Sequence, residues 1–309
     1  MNPTEKVMKQ FIRYMQEHED EITDEKSQKL VADRFMEEYK AKLKNAPVSA
    51  QDEPKDADDY LMLAEQTYSQ KKKLEYLNKA LELEPDNVDA KHQLIVCTYD
   101  KKPNECRKAM QELLKAEAEH LEKEGYFKES TGDFWLVLET RPYMRLKDDY
   151  MSLLIHLGMI HRAIDEGTDM LRLCENDNLG IRYRLMHLYA YMEDELHAVA
   201  LHKKFEAYDD TQMLLPLSIL YYKLGEEEQA ADYLVQLSKC NKDTKKFLTD
   251  LAKGHLENIL NMADDGYCPN TYEELQTELD ENSFLFVSAS GFPEWALEHL
   301  PKRASRTKK

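Results

Sequence analysis

Histidine and cysteine side chains are present in this sequence, but their spacing does not suit catalysis or metal binding. His197 and His202 are five residues apart, which places them on different faces of a helix rather than on one shared face. The five cysteines are odd in number, widely scattered and form no CxxC pair. Nucleophile-elbow, phosphate-loop, dinucleotide-binding and zinc-protease motifs do not occur. We therefore predict no catalytic residue, no metal site and no cofactor.

A second set of side chains has the chemistry of protein recognition. Arginine pairs with carboxylates in a forked geometry, and tyrosine offers a flat apolar face with a polar tip. Eight arginine, tyrosine, histidine and lysine residues are predicted to line the inner face of a helical-repeat array: Arg145, His156, Tyr183, Arg184, His187, Tyr191, Tyr222 and Lys223. For a chain of net charge −18, the positions predicted to face inward are unexpectedly basic and aromatic in the middle repeat. It predicts a groove for another protein or peptide, with an acidic or C-terminal segment as the ligand. In the alternative interpretation, the arginines neutralise nearby acids such as Asp148, and most tyrosines are core residues.

The repeat itself is visible in the spacing of small residues. Ala163, Ala198 and Ala230 each stand at the start of the second helix of a predicted hairpin, 35 and 32 residues apart. This is the period of tetratricopeptide (TPR) repeats, in which small residues let helices approach closely and stacked hairpins share a core. The first helices are predicted to begin near residues 144, 179 and 211. An imperfect copy around Ala64 and Ala80 and a degenerate hairpin over 88–123 precede them, so the array is predicted to span 59–263.

One TPR ligand is excluded by the inner positions. The groove that clamps chaperone C-termini needs lysine and asparagine where this sequence has Asp148 and Ser152. Tyr183 and His187 depart from that pattern in the next copy.

The segments that flank the repeats are predicted to fold differently. Residues 1–44 contain two amphipathic stretches and predict an antiparallel helix pair, and residues 45–58 predict a linker that lets this pair pack separately. Residues 264–301 predict a cap over the open end of the array, anchored by Trp295, with a capping box at Thr271 and Glu274. Within the cap, 284–287 is helix or a short strand. Residues 302–309 predict a basic disordered tail, and Pro216 lies in the first turn of its helix or kinks it.

Composition limits the remaining function classes. The net charge of −18 argues against nucleic acid as a partner. No run of about 18 apolar residues is present, so no membrane insertion is predicted. The first residues lack the features of a signal peptide, and the scattered cysteines fit a reducing compartment. We expect a cytoplasmic protein.

Two longer motifs are similar to a known family. The run F-W-x-x-L-E-T-R-P-Y-M-R occupies 134–145, and D-N-x-G-x-R-Y occupies 177–183. Over roughly 58–300 the chain resembles bacterial TPR proteins that are similar to the TPR region of the animal tumour-suppressor-seven proteins. The resemblance implies a TPR fold and brings no catalytic residue. It does not carry over the membrane-spanning segments expected of the animal members. We predict that the first motif is a structural junction, with Trp135 and Tyr143 packed and Arg141 paired with a carboxylate or with backbone carbonyls.

Together these patterns predict an all-α, TPR-type solenoid of helical hairpins with an N-terminal helix pair and a C-terminal cap. The predicted function is a non-enzymatic adaptor or scaffold that holds a peptide or partner helix in its groove. The alternative is a peptide-sensing regulator with the N-terminal helix pair as its effector. An enzyme ranks third, because no convergent group of catalytic side chains is present.

Overall fold

A computed structural model of the chain describes residues 3–45, 54–205, 210–254 and 268–301, and the regular elements within these ranges are all helical. The predicted all-α class is confirmed for this part of the chain. The helices are α1 (Pro3–Glu17), α2 (Glu25–Asn45), α3 (Ala57–Gln66), α4 (Gln70–Leu83), α5 (Val88–Thr98), α6 (Pro103–Lys123), α7 (Tyr126–Glu129), α8 (Arg141–His156), α9 (Ile160–Leu173), α10 (Ile181–Met192), α11 (Glu195–Lys204), α12 (Thr211–Leu224), α13 (Glu227–Cys240), α14 (Thr244–Ala252), α15 (Tyr272–Glu281), α16 (Ser283–Ser288) and α17 (Phe292–His299).

The chain divides into two compact units, with the boundary between Met159 and Ile160. The boundary falls beside Gly158, which the sequence places at the turn of a predicted hairpin. Gly158 has φ +70°, a left-handed conformation that glycine adopts without steric cost.

Small and branched apolar residues build the first unit from α3, α4 and α5. Ala64 and Ala80 are fully buried where α3 packs against α4, and Leu61 and Leu77 fill the same core. Helix α6 then packs against both α5 and α8. Helices that follow one another along this part of the chain therefore pack side by side.

The N-terminal helix pair forms as predicted, but the predicted linker is too long. Phe11 of α1 meets Phe35 of α2 edge to face at 5.2 Å between ring centroids. The linker predicted over 45–58 overlaps a helix, since α3 begins at Ala57 and Asp56 caps it by accepting a hydrogen bond from the Asp59 N–H at 2.8 Å. Residues 46–53 lie outside the described residues. The acidic stretch at 56–59 therefore belongs to a helix start, where negative charge is stabilised.

The second unit contains the three alanines whose spacing predicts the repeat. Ala163, Ala198 and Ala230 are all fully buried, as predicted. The Ser218 hydroxyl of α12 donates to the Ala230 carbonyl of α13 at 2.9 Å, so these two helices lie in close contact. Pro216 is the sixth residue of α12, beyond the first turn, and the N-cap residue is Asp210.

The described part of the C-terminal segment, 268–301, consists of the short helices α15, α16 and α17. Residues 284–287 belong to α16, so the strand alternative is wrong. The predicted capping box is also wrong. The Thr271 hydroxyl donates to the Cys268 carbonyl, and Glu274 accepts from the Asn270 N–H. The tail at 302–309 lies outside the described residues. Among the helices that are described, none is both long and apolar enough to cross a membrane.

Candidate functional site

The first family motif sets the position of α8 in the first unit. Thr140 precedes α8 and donates its hydroxyl to the Phe134 carbonyl. Arg141 donates to the Trp135 carbonyl at 2.7 Å, and its guanidinium lies over the Trp135 ring at 5.5 Å. Tyr143 is buried, whereas Trp135 is half-buried. The predicted backbone-carbonyl partner of Arg141 is confirmed, and this junction directs the first turns of α8 toward α1.

Arg145, one of the eight predicted groove residues, lies between two carboxylates. Its Nη1 and Nη2 donate to the two Glu5 oxygens of α1 at 3.0 and 3.2 Å. Its Nε and Nη2 donate to the two Asp89 oxygens of α5 at 2.9 and 2.5 Å. Glu5 is 3% exposed and Asp89 is 5% exposed. Burial alone would lower the pKa of Arg145, but the hydrogen bonds and charges of Asp89 and Glu5 raise it. A guanidinium held by two forks is fixed in orientation as well as in charge.

Two lysines of α1 extend this contact to the start of α3. Lys6 Nζ lies 3.0 Å from Asp56 Oδ1 and 2.5 Å from Asp59 Oδ1. Lys9 Nζ lies 3.5 Å from Asp58 Oδ1. We call the five residues that receive α1 the acceptor surface; they are Asp56, Asp58, Asp59, Asp89 and Arg145. Helix α1 is therefore held across the amino ends of α3 and α5 and the first turns of α8 by ion pairs of both signs.

A cleft of about 660 Å³ remains beside the docked helix. Ile12 and Arg13 of α1 form one side, and Leu113, Glu117 and His120 of α6 lie among the residues of the other. Burial raises the pKa of Glu117, and the nearby His120 and Lys91 oppose the rise. The apolar residues on the two sides leave this space open, and the ion pairs of Glu5, Lys6 and Lys9 hold α1 at its edge.

His156, the other predicted groove residue of the first unit, lies at the opposite end of α8. It is exposed and lines a cleft of about 460 Å³ together with Cys106, Asp149 and Leu153. Burial raises the pKa of the Cys106 thiol, which keeps it protonated and unreactive. Within the described residues, no three histidine, cysteine or acidic side chains are placed to hold a metal ion.

The second family motif is the cap of α10 in the second unit. The Asp177 carboxylate accepts from the N–H groups of Ile181 at 2.7 Å and Arg182 at 3.1 Å, and pairs with the Arg182 guanidinium at 2.8 Å. Arg182 also donates to the Tyr183 hydroxyl, which donates to Asp210 at 3.0 Å. Burial raises the pKa of Tyr183 to about 12. Tyr183, a predicted groove residue, therefore links the starts of α10 and α12.

His187 of α10 forms a buried contact with the C-terminal segment. It is fully buried, its Nδ1 lies 2.8 Å from the Tyr183 carbonyl oxygen, and its Nε2 lies 2.9 Å from Glu278 Oε2 of α15. The latter two atoms lie close together but make no well-aligned hydrogen bond. The carbonyl fixes a proton on Nδ1, and only an imidazolium would also present a proton to Glu278. Gln212 of α12 donates to the other Glu278 oxygen at 2.5 Å.

The remaining predicted groove residues of the second unit also face the C-terminal segment or another helix end. Tyr191 meets Phe284 of α16 edge to face at 5.3 Å, and Tyr222 lies 5.5 Å from Phe292 and 5.2 Å from Trp295 of α17. Lys223 donates to the carbonyls of Ala190 and Tyr191, where a cation suits the carboxyl end of α10. Burial raises the pKa of Glu281 in α15, and the charge of the nearby Arg184 opposes this rise. In this unit the predicted groove residues already hold a segment of the same chain.

Sequence patterns did not indicate the acidic partners of these residues. Glu5 and Asp89 are 140 and 56 residues from Arg145 along the chain, and Glu278 is far from His187. Each occurs in a helix where a charged residue is ordinary, and helical periodicity carries no information about long-range pairing. The one available signal was the dense acidic start of α3, which the linker prediction covered.

No protein-family model matches this sequence, and no curated protein matches it. The resemblance in the two motifs therefore stays a prediction.

Proposed function

We propose that this chain is a TPR-type interaction scaffold that holds a helical segment of a partner protein against its hairpins. One observation carries the proposal. In each unit a predicted groove residue already holds the carboxylate of a helix, Glu5 on Arg145 and Glu278 on His187. The surfaces are thus chemically suited to a helix that bears an acid, which matches the acidic ligand that the sequence predicts.

The first unit is the better candidate for an external partner. Its helix is held by ion pairs at the edge of an open cleft, and a partner helix that presents the same charges can take over each of these contacts. In the second unit the covering helices bury aromatic side chains, which makes them part of the core. A partner would therefore compete with α1 for the acceptor surface and the cleft beside it.

Site-specific photo-crosslinking tests this proposal. A photoreactive amino acid at His120, an exposed residue of the cleft, should capture a defined protein in the cells that make this chain. The matched control carries the same group at Glu82, an exposed residue of α4 outside the cleft. Capture of one protein from 120 only, lost in the Arg145→Gln background with helicity unchanged, is the expected result. Equal capture from both positions, or adducts within the chain alone, would contradict the proposal.

The docking of α1 also favours a second function, a regulator whose N-terminal helix pair is the effector. Helices α1 and α2 are held to each other by the Phe11 and Phe35 rings, so they can leave the acceptor surface as one body. On this proposal the partner that occupies the cleft releases the pair, and α1 becomes rapidly hydrogen-exchanging on binding. If a partner binds while the amides of α1 stay protected, the regulator function is wrong and only the scaffold function is supported.

A further inference from the structure

The docked helix shows which pattern of side chains the acceptor surface can read. Glu5 forks onto Arg145, Lys6 reaches Asp56 and Asp59, and Lys9 reaches Asp58. At about 100° per residue these three side chains fall within roughly 100° of arc on one helical face. The pattern is an acid, a base one position after it and a second base four positions after it, written E-K-x-x-K.

The same face of α1 continues into the cleft. Ile12, Arg13 and Gln16 lie seven, eight and eleven positions after Glu5, which returns them to the face of the three charged residues. Val88, Leu113 and Leu138 also line the cleft and can contact an apolar side chain. Glu117 and Glu139 line it as well and can pair with a basic side chain. The cleft is therefore suited to a helix that has an apolar residue and a base about two turns after the acid.

The reversed signs make this reading selective. A helix with acids at the two lysine positions would place them against three aspartates, and like charges at such distances repel. A helix without the leading acid would take away the fork that Glu5 makes with the half-buried Arg145 and leave the guanidinium paired with Asp89. A helix with either change would lose ion pairs with the acceptor surface, and a single ion pair elsewhere would not compensate for that loss.

We infer that the partner held by the acceptor surface is a protein helix that carries E-K-x-x-K followed two turns after the acid by an apolar residue and a base. This inference rests on the proposed function, because it names the class of segment that such a scaffold would hold. The partner helix takes the place of α1, so the chain's own N-terminal pair is its competitor.

Helix α2 provides a natural control for the second half of the pattern. It begins Glu25-Lys26-Ser27-Gln28-Lys29 and so repeats E-K-x-x-K, with all three charged residues exposed. Seven and eight positions after Glu25 it has Ala32 and Asp33, where α1 has Ile12 and Arg13. A peptide of α2 therefore keeps the charged start and places an acid opposite Glu117 and Glu139.

The test uses the full chain with its own helix weakened by Glu5→Gln, Lys6→Gln and Lys9→Gln, which leaves the acceptor surface intact. The probe is a fluorescein-labelled peptide of residues 3–21, followed by fluorescence anisotropy. The peptide should bind the weakened chain about tenfold or more tightly than the wild-type chain, because the tethered α1 of the wild type competes at high effective concentration. The peptide with the same three substitutions should not bind, and an α2 peptide of residues 23–42 should bind more weakly than the probe.

A charge exchange separates recognition from general attraction. Asp58→Lys in the weakened chain should reduce binding of the probe, and a probe with Lys9→Glu should recover it. Equal binding by the substituted peptide, or no recovery in the exchange, would overturn the inference. If no peptide binds while the cleft still captures a protein in cells, this helix pattern is wrong and the scaffold function stands.

Discussion

The two ends of the described chain cover helical faces in different ways. In the first unit, α1 is held by ion pairs of Glu5, Lys6 and Lys9, and an open cleft separates it from α6. In the second unit, α15–α17 bury Leu275, Leu285 and Phe292 almost completely, and the contact between Glu278 and His187 is itself buried.

This difference indicates which covering segment can be exchanged for a partner. Apolar burial contributes roughly 25 cal/mol per Å² and is not weakened by salt, whereas the partly exposed ion pairs of Lys6 and Lys9 contribute little and are screened. Removing the C-terminal segment would expose a core, but removing α1 would uncover a charged surface that water solvates well. The N-terminal segment is therefore the exchangeable one, and the C-terminal segment is structural.

The largest expected effect lies in the C-terminal segment. Phe292 is 1% exposed and packs against Tyr222. Phe292→Ala should lower the free energy of unfolding by about 3–5 kcal/mol, because it leaves a cavity in a closed core. Urea denaturation followed by circular dichroism measures this loss. A loss below about 1 kcal/mol would show that α17 is only loosely attached, and the contrast between the two ends would fail.

The buried pair of His187 and Glu278 should come next. Glu278→Ala leaves His187 and Gln212 without their shared acid and should cost about 1–3 kcal/mol, since buried polar groups without a partner are expensive. Glu278→Gln is the matched control, because it keeps the shape and an acceptor for Gln212 and should cost less. Thermal melts of the two variants compare them. Equal melting temperatures for Glu278→Ala and the parent chain would mean that this pair does not hold the segment.

The lysines of α1 should have a smaller and local effect. Lys6→Gln with Lys9→Gln should weaken the docking of α1 by about 0.5–1 kcal/mol per ion pair and leave the second unit unchanged. The control is Lys26→Gln with Lys29→Gln on α2, because neither lysine makes an ion pair within the described residues. Methyl NMR of Ile12, which lines the cleft, reports docking directly. Identical spectra for both double variants would contradict the role of these lysines.

The pH dependence of α1 docking should be the smallest effect near neutrality. Burial alone would raise the pKa of Asp59, but hydrogen bonds from Lys6 and the Lys55 N–H hold it below its ordinary value of 3.8. Its contribution is therefore complete above pH 3.8 and is lost as the pH falls further. Burial alone would lower the pKa of Lys6, but Asp59 and Asp56 raise it above its ordinary value of 10.5. The contribution of Lys6 to docking is therefore lost only above pH 10.5. The Ile12 signals should stay constant from neutral pH to pH 10.5. At acidic pH, Asp58 and Glu117 should gain protons before Asp59 does, because burial raises their pKa values. A docking change centred near pH 6–7 would implicate a histidine instead.

Local patterns predicted the helices well and the functional contacts poorly. The spacing of Ala163, Ala198 and Ala230 predicted three buried positions, because close helix packing requires small residues at regular intervals. Periodicity also predicted the helix pair at 1–44. The partners of Arg145 and His187 depend on which distant helix ends meet, and that is settled by tertiary packing. The linker prediction failed at 56–58 for a related reason, since acids that suggest a loop are also favoured in the first turn of a helix.

Hydrogen exchange at two ionic strengths tests the central claim most directly. Amide protection of α1 and of α15–α17 would be compared by mass spectrometry in about 0.05 M and about 1 M sodium chloride, where the Debye length falls to about 3 Å. Protection of α1 should decrease at high salt, and protection of α15–α17 should stay the same. Protection of α1 that is insensitive to salt, or a parallel loss in both segments, would contradict a charge-held, exchangeable N-terminal helix.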